Sequence, residues 1–529
     1  MEEVTTHNIP RPRIVAACAR VPRDPPPIMN ISPEILEPDQ EDTRSWIIYK
    51  VPNKLREIRP AAYTPQIVSI GPFHHGKSNL KAMEHYKDKY AKEFLEQSFC
   101  NHIKQEDLMN ELKKEDGKLV ERIKRSYEED SFEPENEKKY WTDKIPMILQ
   151  DAFFIFELFF RNHETQPPDR EDDEKKKQRA EKIKKIFRDY IWRSPWVKAA
   201  IKQDLILLEN QLPFFVLTHL FDSIFKHRSK DIDGIPDYLP ELKNNEGEPC
   251  DFLIQVTYEF FIDYYRFGKP CPKESSENKP LFKYSGQEKK QLVSEMKHIK
   301  HFTDLIRKFM CDETVEYPKS SEALTHCLYS AKQLDNAGVM FGRPKDATYL
   351  ASINTWPDVK DDDKCYQWWN GRGCCWLNGC CWINCLQLKI PQLKVQDNTE
   401  CIFRNVMALE QFVYPDEPRI CNYIFLLDQL IDTVEDVDLL VDKRIIENWL
   451  GTNKAVAALV NKLCDHIVTP HFLYTDICDK LNKHQTKRLN VARSTLKRVY
   501  FKDIWTGSGT VVGLVFLVFS HQESLLCMR

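Results

Sequence analysis

The chain has 529 residues, of which 42% are hydrophobic, enough to build one large irregular body or two to four domains. Its 76 basic and 80 acidic residues leave a net charge of -4, which offers a polyanion no overall attraction, so nucleic acid is not the expected partner. Eleven of the 17 cysteines are scattered singly, as thiols of a reduced compartment are, and the N-terminus MEEVTTHNIPRPR lacks the basic and apolar regions of a secretory start.

Residues 1 to 44 carry PRPR, PRDPPP and EPDQED with few aromatics and read as a flexible Pro-rich arm. The tripeptide Asn30-Ile31-Ser32 within it is expected to go unused as a glycosylation site, because the arm stays in the cytosol. From Trp46 the apolar content rises. One body over 45–503 is expected, because its apolar blocks look individually incomplete. The charged stretch QPPDREDDEKKKQRAEKIKK and the Pro, Ser and Lys-rich stretch 267–290 read as surface loops between them.

Residues 71 to 78, GPFHHGKS, spell the phosphate-loop pattern GxxxxGKS, with Ile67-Val68 just before it. In such a loop Gly71 and Gly76 would let backbone N–H groups point at phosphates, Lys77 would reach the β and γ groups, and Ser78 would hold magnesium. That chemistry also needs a parallel sheet and a second strand ending in a carboxylate. The best such run, Tyr423 to Asp428, carries helical periodicity and continues unbroken into QLIDTVEDVDLL, so Asp428 reads as a helix-surface acid. His74 and His75 diverge as neighbours on a turn and read as locally hydrogen-bonded, not as metal ligands. The octapeptide is therefore expected to be a structural turn, with nucleotide binding through Gly71, Gly76, Lys77 and Ser78 as the alternative.

After Asn79, a plausible cap, Met83, Tyr86, Tyr90 and Phe94 recur at helical spacing with Lys81, Lys87, Asp88, Lys92 and Glu93 between them. Pro146 to Phe160 is apolar on nearly all sides and begins with a proline suited to a first turn, which predicts a buried helix too short and too charged to span a bilayer. Leu205 to Leu217, with Pro213 inside it, predicts a kinked or broken helix. Asp151, Glu157 and Glu209 lie in these apolar runs and are expected to pair with basic residues or a helix N-terminus. No di-iron, serine-hydrolase or zinc-helix pattern accompanies them. No catalytic, metal or cofactor residue is expected.

Further on, Cys365 to Cys385 holds six cysteines and the tandem repeat GCCWLN-GCCWIN. Adjacent Cys pairs converge poorly on one ion, so a variable insertion is favoured over a metal or redox module. Leu386 to Val395 is the best strand candidate, with Pro391 marking it as an edge or broken one. Ile424, Leu427, Ile431 and Val434 share one helical face. Residues 504–520 include sixteen without a charge, about 24 Å of helix against a hydrocarbon core of about 30 Å. Lys497, Arg498 and Lys502 precede them and would keep the body cytosolic, with 521–529 as a short outer tail. The fold class is mainly α: one large helix-rich domain with a minor β element and a C-terminal apolar, transmembrane helix.

Six segments stand in a specific order: SIGPFHHGKSNLKAMEHYKDKY, PMILQDAFFIFELF, DLILLENQLPFFVL, SAKQLDNAGVMF, LKIPQLKVQDNTECIFRNVMALEQ and IIENWLGTNKAVAALVNKLC. In these the chain resembles the plant domain of unknown function 247 family, also called uncharacterised protein family 0481, over roughly residues 45 to 505. The resemblance implies a helix-rich body and usually one C-terminal transmembrane helix, with Gly-Pro-Phe/Tyr-His-His-Gly as the family signature and Lys-Ser variable. It implies no enzymatic activity, cofactor or catalytic residue. Some grass relatives are implicated in pollen-side self-incompatibility, which implies recognition of a protein partner. The expected setting is a membrane, the plasma membrane first, with a cytoplasmic protein as the alternative. The Cys/Trp insertion and the short terminal apolar run depart from the family pattern.

Overall fold

The computed structural model describes residues 47–96, 118–128, 137–166, 173–226, 249–265, 296–317, 328–344, 349–356 and 386–487, with scattered further positions up to 519. The N-terminal arm, the stretch 267–290 and the Cys/Trp insertion lie outside the described residues.

The N-terminal half begins with α1 (Asn53–Ile58), α2 (Lys81–Leu95), α3 (Lys118–Lys124) and α4 (Glu137–Thr165). Helix α2 buries Met83, Lys87, Tyr90, Ala91 and Phe94 and packs along α4. Lys87 thus belongs to the inward stripe and not, as expected, to the solvent face. Asn79 does not cap α2 either: it sits inside a 3-10 turn, Ser78–Leu80, that leads into the helix. Helix α4 is longer than its apolar run. Pro146 lies inside it instead of in its first turn, because the helix already begins at Glu137, ahead of the core-facing segment.

The charged stretch expected to be a loop contains α5 (Asp173–Ile186), whose Lys, Glu and Arg residues lose little rotamer freedom in a helix. Next come α6 (Tyr190–Arg193), capped by Asp189, and α7 (Pro195–Asp204), capped by Ser194 with Pro195 at its first position. Then follow α8 (Phe214–Lys226), α9 (Pro249–Tyr265) and α10 (Phe302–Met310). Phenylalanines join these elements to α4: Phe159 meets Phe260 at 4.8 Å and Phe302 at 5.6 Å between ring centres, and Phe156 meets Phe221 at 5.4 Å. Each such ring, fully buried, contributes roughly 2–3 kcal/mol.

The C-terminal half carries α11 (Ala331–Asn336), β1 (Met340–Gly342), β2 (Asn354–Trp356), β3 (Gln387–Lys389) and β4 (Leu393–Val395). Then come α12 (Thr399–Val413), α13 (Arg419–Leu430), α14 (Val434–Asp442), β5 (Ile446–Asn448), α15 (Asn453–Leu463) and α16 (Thr475–Thr486). The expected strand is broken at Pro391 into β3 and β4. Strand β3 is central, parallel to β1 and antiparallel to β2, while β4 pairs with β5 in parallel. The run expected to continue past Asp428 ends at Leu430. Thr433 and Asp436 form a capping box that starts α14 afresh, which a single helical face could not reveal. The described body is mainly α, and one continuous apolar cluster running from Ile48 to Leu481 draws on both halves, beside a smaller one that joins Val51, Leu55 and Tyr63 to Leu208 and Leu409.

Candidate functional site: the GPFHHG turn

The turn is built on an extended segment that has no strand partner. Residues 67–70 form no strand, and their polar backbone atoms are met by side chains instead. Asp204, at the end of α7, accepts from the N–H groups of Gln66, Ile67 and Val68 at 2.7–2.9 Å. Asn210 accepts from Ile70 N–H at 2.7 Å and donates to the carbonyls of Val68 and Asp204. Asp151, from the middle of α4, accepts from Gly71 N–H at 2.9 Å. Lys87 from α2 closes the ring, donating to Ser69 O at 2.9 Å while it pairs with Asp151 at 2.5 Å.

Electrostatics follow from burial. Removal from water pushes Asp151 up to about 6, against the pull of Lys87 and Gly71 N–H. Burial also works against the charge of Lys87, but Asp151 and Glu84 outweigh it and hold the ammonium above its ordinary pKa. Asp204 is likewise pushed up to about 6 by burial, with three backbone N–H groups opposing.

Glu209 holds the other end of the turn. It accepts from Val51 N–H at 2.6 Å, pairs with Arg56, and lies 3.1 Å from His74 Nε2. These partners hold the Glu209 carboxyl below its usual range despite burial. Burial depresses His74, with Glu209 opposing, and the ring has both a long-range acid at Nε2 and the local contact expected of it, to Lys77, at Nδ1. Its Nδ1 lies 2.6 Å from Lys77 Nζ. The expected pairing of the buried acids holds for Asp151 with Lys87, for Glu157 with Arg161 at 2.8 Å, and for Glu209 with Arg56.

Gly71 has φ +72, and a Cβ there would stand 2.4 Å from the carbonyl oxygen of Gln211. Only glycine fits this contact. Gly76 also has positive φ, +83, but faces open space.

The structure therefore gathers Gly71, Gly76, Lys77 and Ser78 into one turn without the setting of a phosphate loop. No sheet strand enters the turn, the N–H groups of Ile70 and Gly71 are bonded to Asn210 and Asp151, and Asp428 sits on α13 instead of at a strand end.

The turn rests on the buried segment 205–213: of the kinked or broken helix expected over Leu205 to Leu217, only the part from Phe214 is helical, in α8, and 205–213 is irregular chain between α7 and α8. Its backbone is satisfied by distant side chains. Asn405 accepts from Leu208 N–H, Thr303 donates to Ile206 O, and Gln211 donates to the carbonyls of Leu205 and Leu207 while accepting from Phe302 N–H. A second buried centre lies at Arg307, which donates to Glu410 at 2.9 Å and to Glu313 at 2.7 Å. Glu410 in turn accepts from the N–H groups of Ile420 and Cys421 and so caps α13.

Sequence reasoning missed Lys87, Asp204, Arg307 and Glu410. For Lys87 a signal existed: it falls four residues after Met83 and three before Tyr90, on the apolar stripe, and Asp151 supplies an opposite charge in the facing apolar run. Among the described residues no group of His, Cys, Asp and Glu could hold a metal ion.

These features define a mainly helical protein whose most distinctive motif is bolted to its own interior by residues from four other segments. Residues 48–519 match the model of the family described as DUF247, plant protein of unknown function. The chain is similar to the UPF0481 protein At3g47200 of Arabidopsis thaliana, 24% identical over 92% of this chain and 86% of the relative. It is also similar to the putative UPF0481 protein At3g02645 of the same plant, 21% identical over 90% of this chain and 89% of that relative. The chain belongs to the DUF247 family. Neither relative's name states an activity. No solved structure matches the chain.

Proposed function

We propose that the protein acts by recognition of another protein, without chemistry of its own, and that the apolar run 504–520 holds its body at a membrane. The observation that carries the reading is the state of that run. Val512, Phe516, Leu517 and Phe519 are helical and 62–73% exposed, an apolar surface that lipid or a partner would cover. Among the described residues no helix is long and apolar enough to cross a membrane, so the attachment proposed is a short interfacial helix in place of an ordinary span. The recognition half draws support from the motif acids, which are engaged in holding the turn and the buried loop.

Flotation of the full chain with neutral lipid vesicles tests attachment. The expected result is co-flotation that is lost when 504–520 is deleted. A full chain that stays with the soluble fraction overturns it. Affinity capture from plant membranes tests recognition, which requires a reproducible protein partner and fails without one.

A further inference from the structure

Away from the GPFHHG turn, a half-open cleft of about 1040 Å³ lies between α3, the start of α8 and the segment leading into α10. Its walls carry Lys118, Arg122, Arg125, Lys297 and Lys300, with His298 beside them, and Glu121 is the one carboxylate among its lining residues. In a chain of net charge -4 this is a local concentration of positive charge inside a concavity, where low-dielectric walls strengthen the field.

Part of that charge is already answered. Arg125 lies 3.4 Å from Glu121, and Lys297 lies 3.3 Å from Asp251. Lys118, Arg122 and Lys300 have no carboxylate at ion-pair distance among the described residues. Two of them rest on aromatic rings instead: the Arg122 guanidinium is 3.8 Å from the ring centre of Phe215, and Lys300 Nζ is 4.2 Å from that of Tyr414. A guanidinium stacked on a ring keeps its N–H edge directed outward, the geometry that matches phosphate oxygens. Lys300 is also depressed by burial, with Asp304 opposing, which is the state of a cation short of a counter-charge.

The lining also has an apolar part, Ile47, Phe214, Phe215 and Ile299. The volume is at the upper end for small-molecule sites and exceeds the needs of one phosphate. We propose that this cleft binds a small organic polyphosphate, a ring-bearing core with several phosphate groups, either free or as the headgroup of a phosphorylated lipid. The phosphates lie against Arg122, Lys300 and Lys118, and the ring lies against the apolar lining residues.

Calorimetric titration of the full chain with inositol hexakisphosphate at physiological salt tests the site. Vesicles with and without phosphatidylinositol bisphosphate distinguish the lipid-borne source. The terminal apolar run contributes equally to both vesicle types, so a failure of membrane attachment is read separately. Binding is expected to one or both phosphorylated probes and to weaken about tenfold or more in Arg122→Gln and in Lys300→Gln. Unchanged circular dichroism and melting are the check that both variants fold. Lys77→Ala, on the separate turn, is expected to bind as the wild type does. The proposal is overturned if neither probe binds, if Arg122→Gln or Lys300→Gln binds unchanged, or if inorganic phosphate binds as tightly as the polyphosphate.

Discussion

At the scale of single residues, two glycines of one motif do different work. Gly71 combines positive φ with a carbonyl where a side chain would go, whereas Gly76 has only the positive φ. Gly71→Ala is expected to cost about 3 kcal/mol or more, from strain plus overpacking, and Gly76→Ala about 1 kcal/mol. Equilibrium unfolding in urea compares them directly, and equal costs would remove the special role given to Gly71. His301 offers a pH test. Fully buried, it makes a 2.9 Å hydrogen bond through Nε2 to Ile47 O, and its Nδ1 accepts from Asp304 N–H at the start of α10. Burial pulls it down to about 4 from 6.5, with Asp304 opposing. Between those values the unfolded chain holds the extra proton, so this histidine's contribution is intact above pH 6.5 and falls as pH drops toward 4. The loss approaches roughly 3 kcal/mol. Asp151 and Asp204, raised by burial, act with the opposite sign across much of the same window. The measurement is therefore the difference in pH dependence between wild type and His301→Gln. An identical pH dependence in the two proteins would contradict the assignment.

At the scale of elements, helices were legible where one face repeats, as in α2 and α13, or where a long run is apolar all round, as in the core segment of α4. Their ends were less so, because caps such as Thr433 with Asp436, and the 3-10 entry to α2, depend on a few local hydrogen bonds. The segment 205–213 was the hardest to read. Its apolar letters match a buried helix, yet it is irregular chain whose backbone partners, Asn405 and Thr303, lie far away in sequence. No local pattern records such partners. The polar trio Glu209-Asn210-Gln211 was the visible trace of them. Asn210→Ala removes three buried hydrogen bonds at once, to Ile70, Val68 and Asp204, and is expected to cost about 3 kcal/mol. A shift under about 0.5 kcal/mol in chemical unfolding would mean that this loop does not hold the turn.

At the scale of the whole molecule, residues of distant motifs converge: Lys87 from the first, Asp151 from the second and Asn210 from the third meet around Ser69 to Gly71. The order of motifs identified the family, and the pairing of buried acids with cations followed from general physical chemistry. The polyphosphate cleft was not legible, since Lys118, Arg122, Lys297 and Lys300 come from two charged stretches that look like ordinary solvated surface. The central claim is that GPFHHGKS is a joint of this body and not a nucleotide cradle. Titration of magnesium-ATP into wild type and Lys77→Ala tests it most directly. The structure predicts the same isotherm for both, with any affinity for triphosphate depending on Arg122 and Lys300. Binding that is present in the wild type and abolished by Lys77→Ala would contradict it.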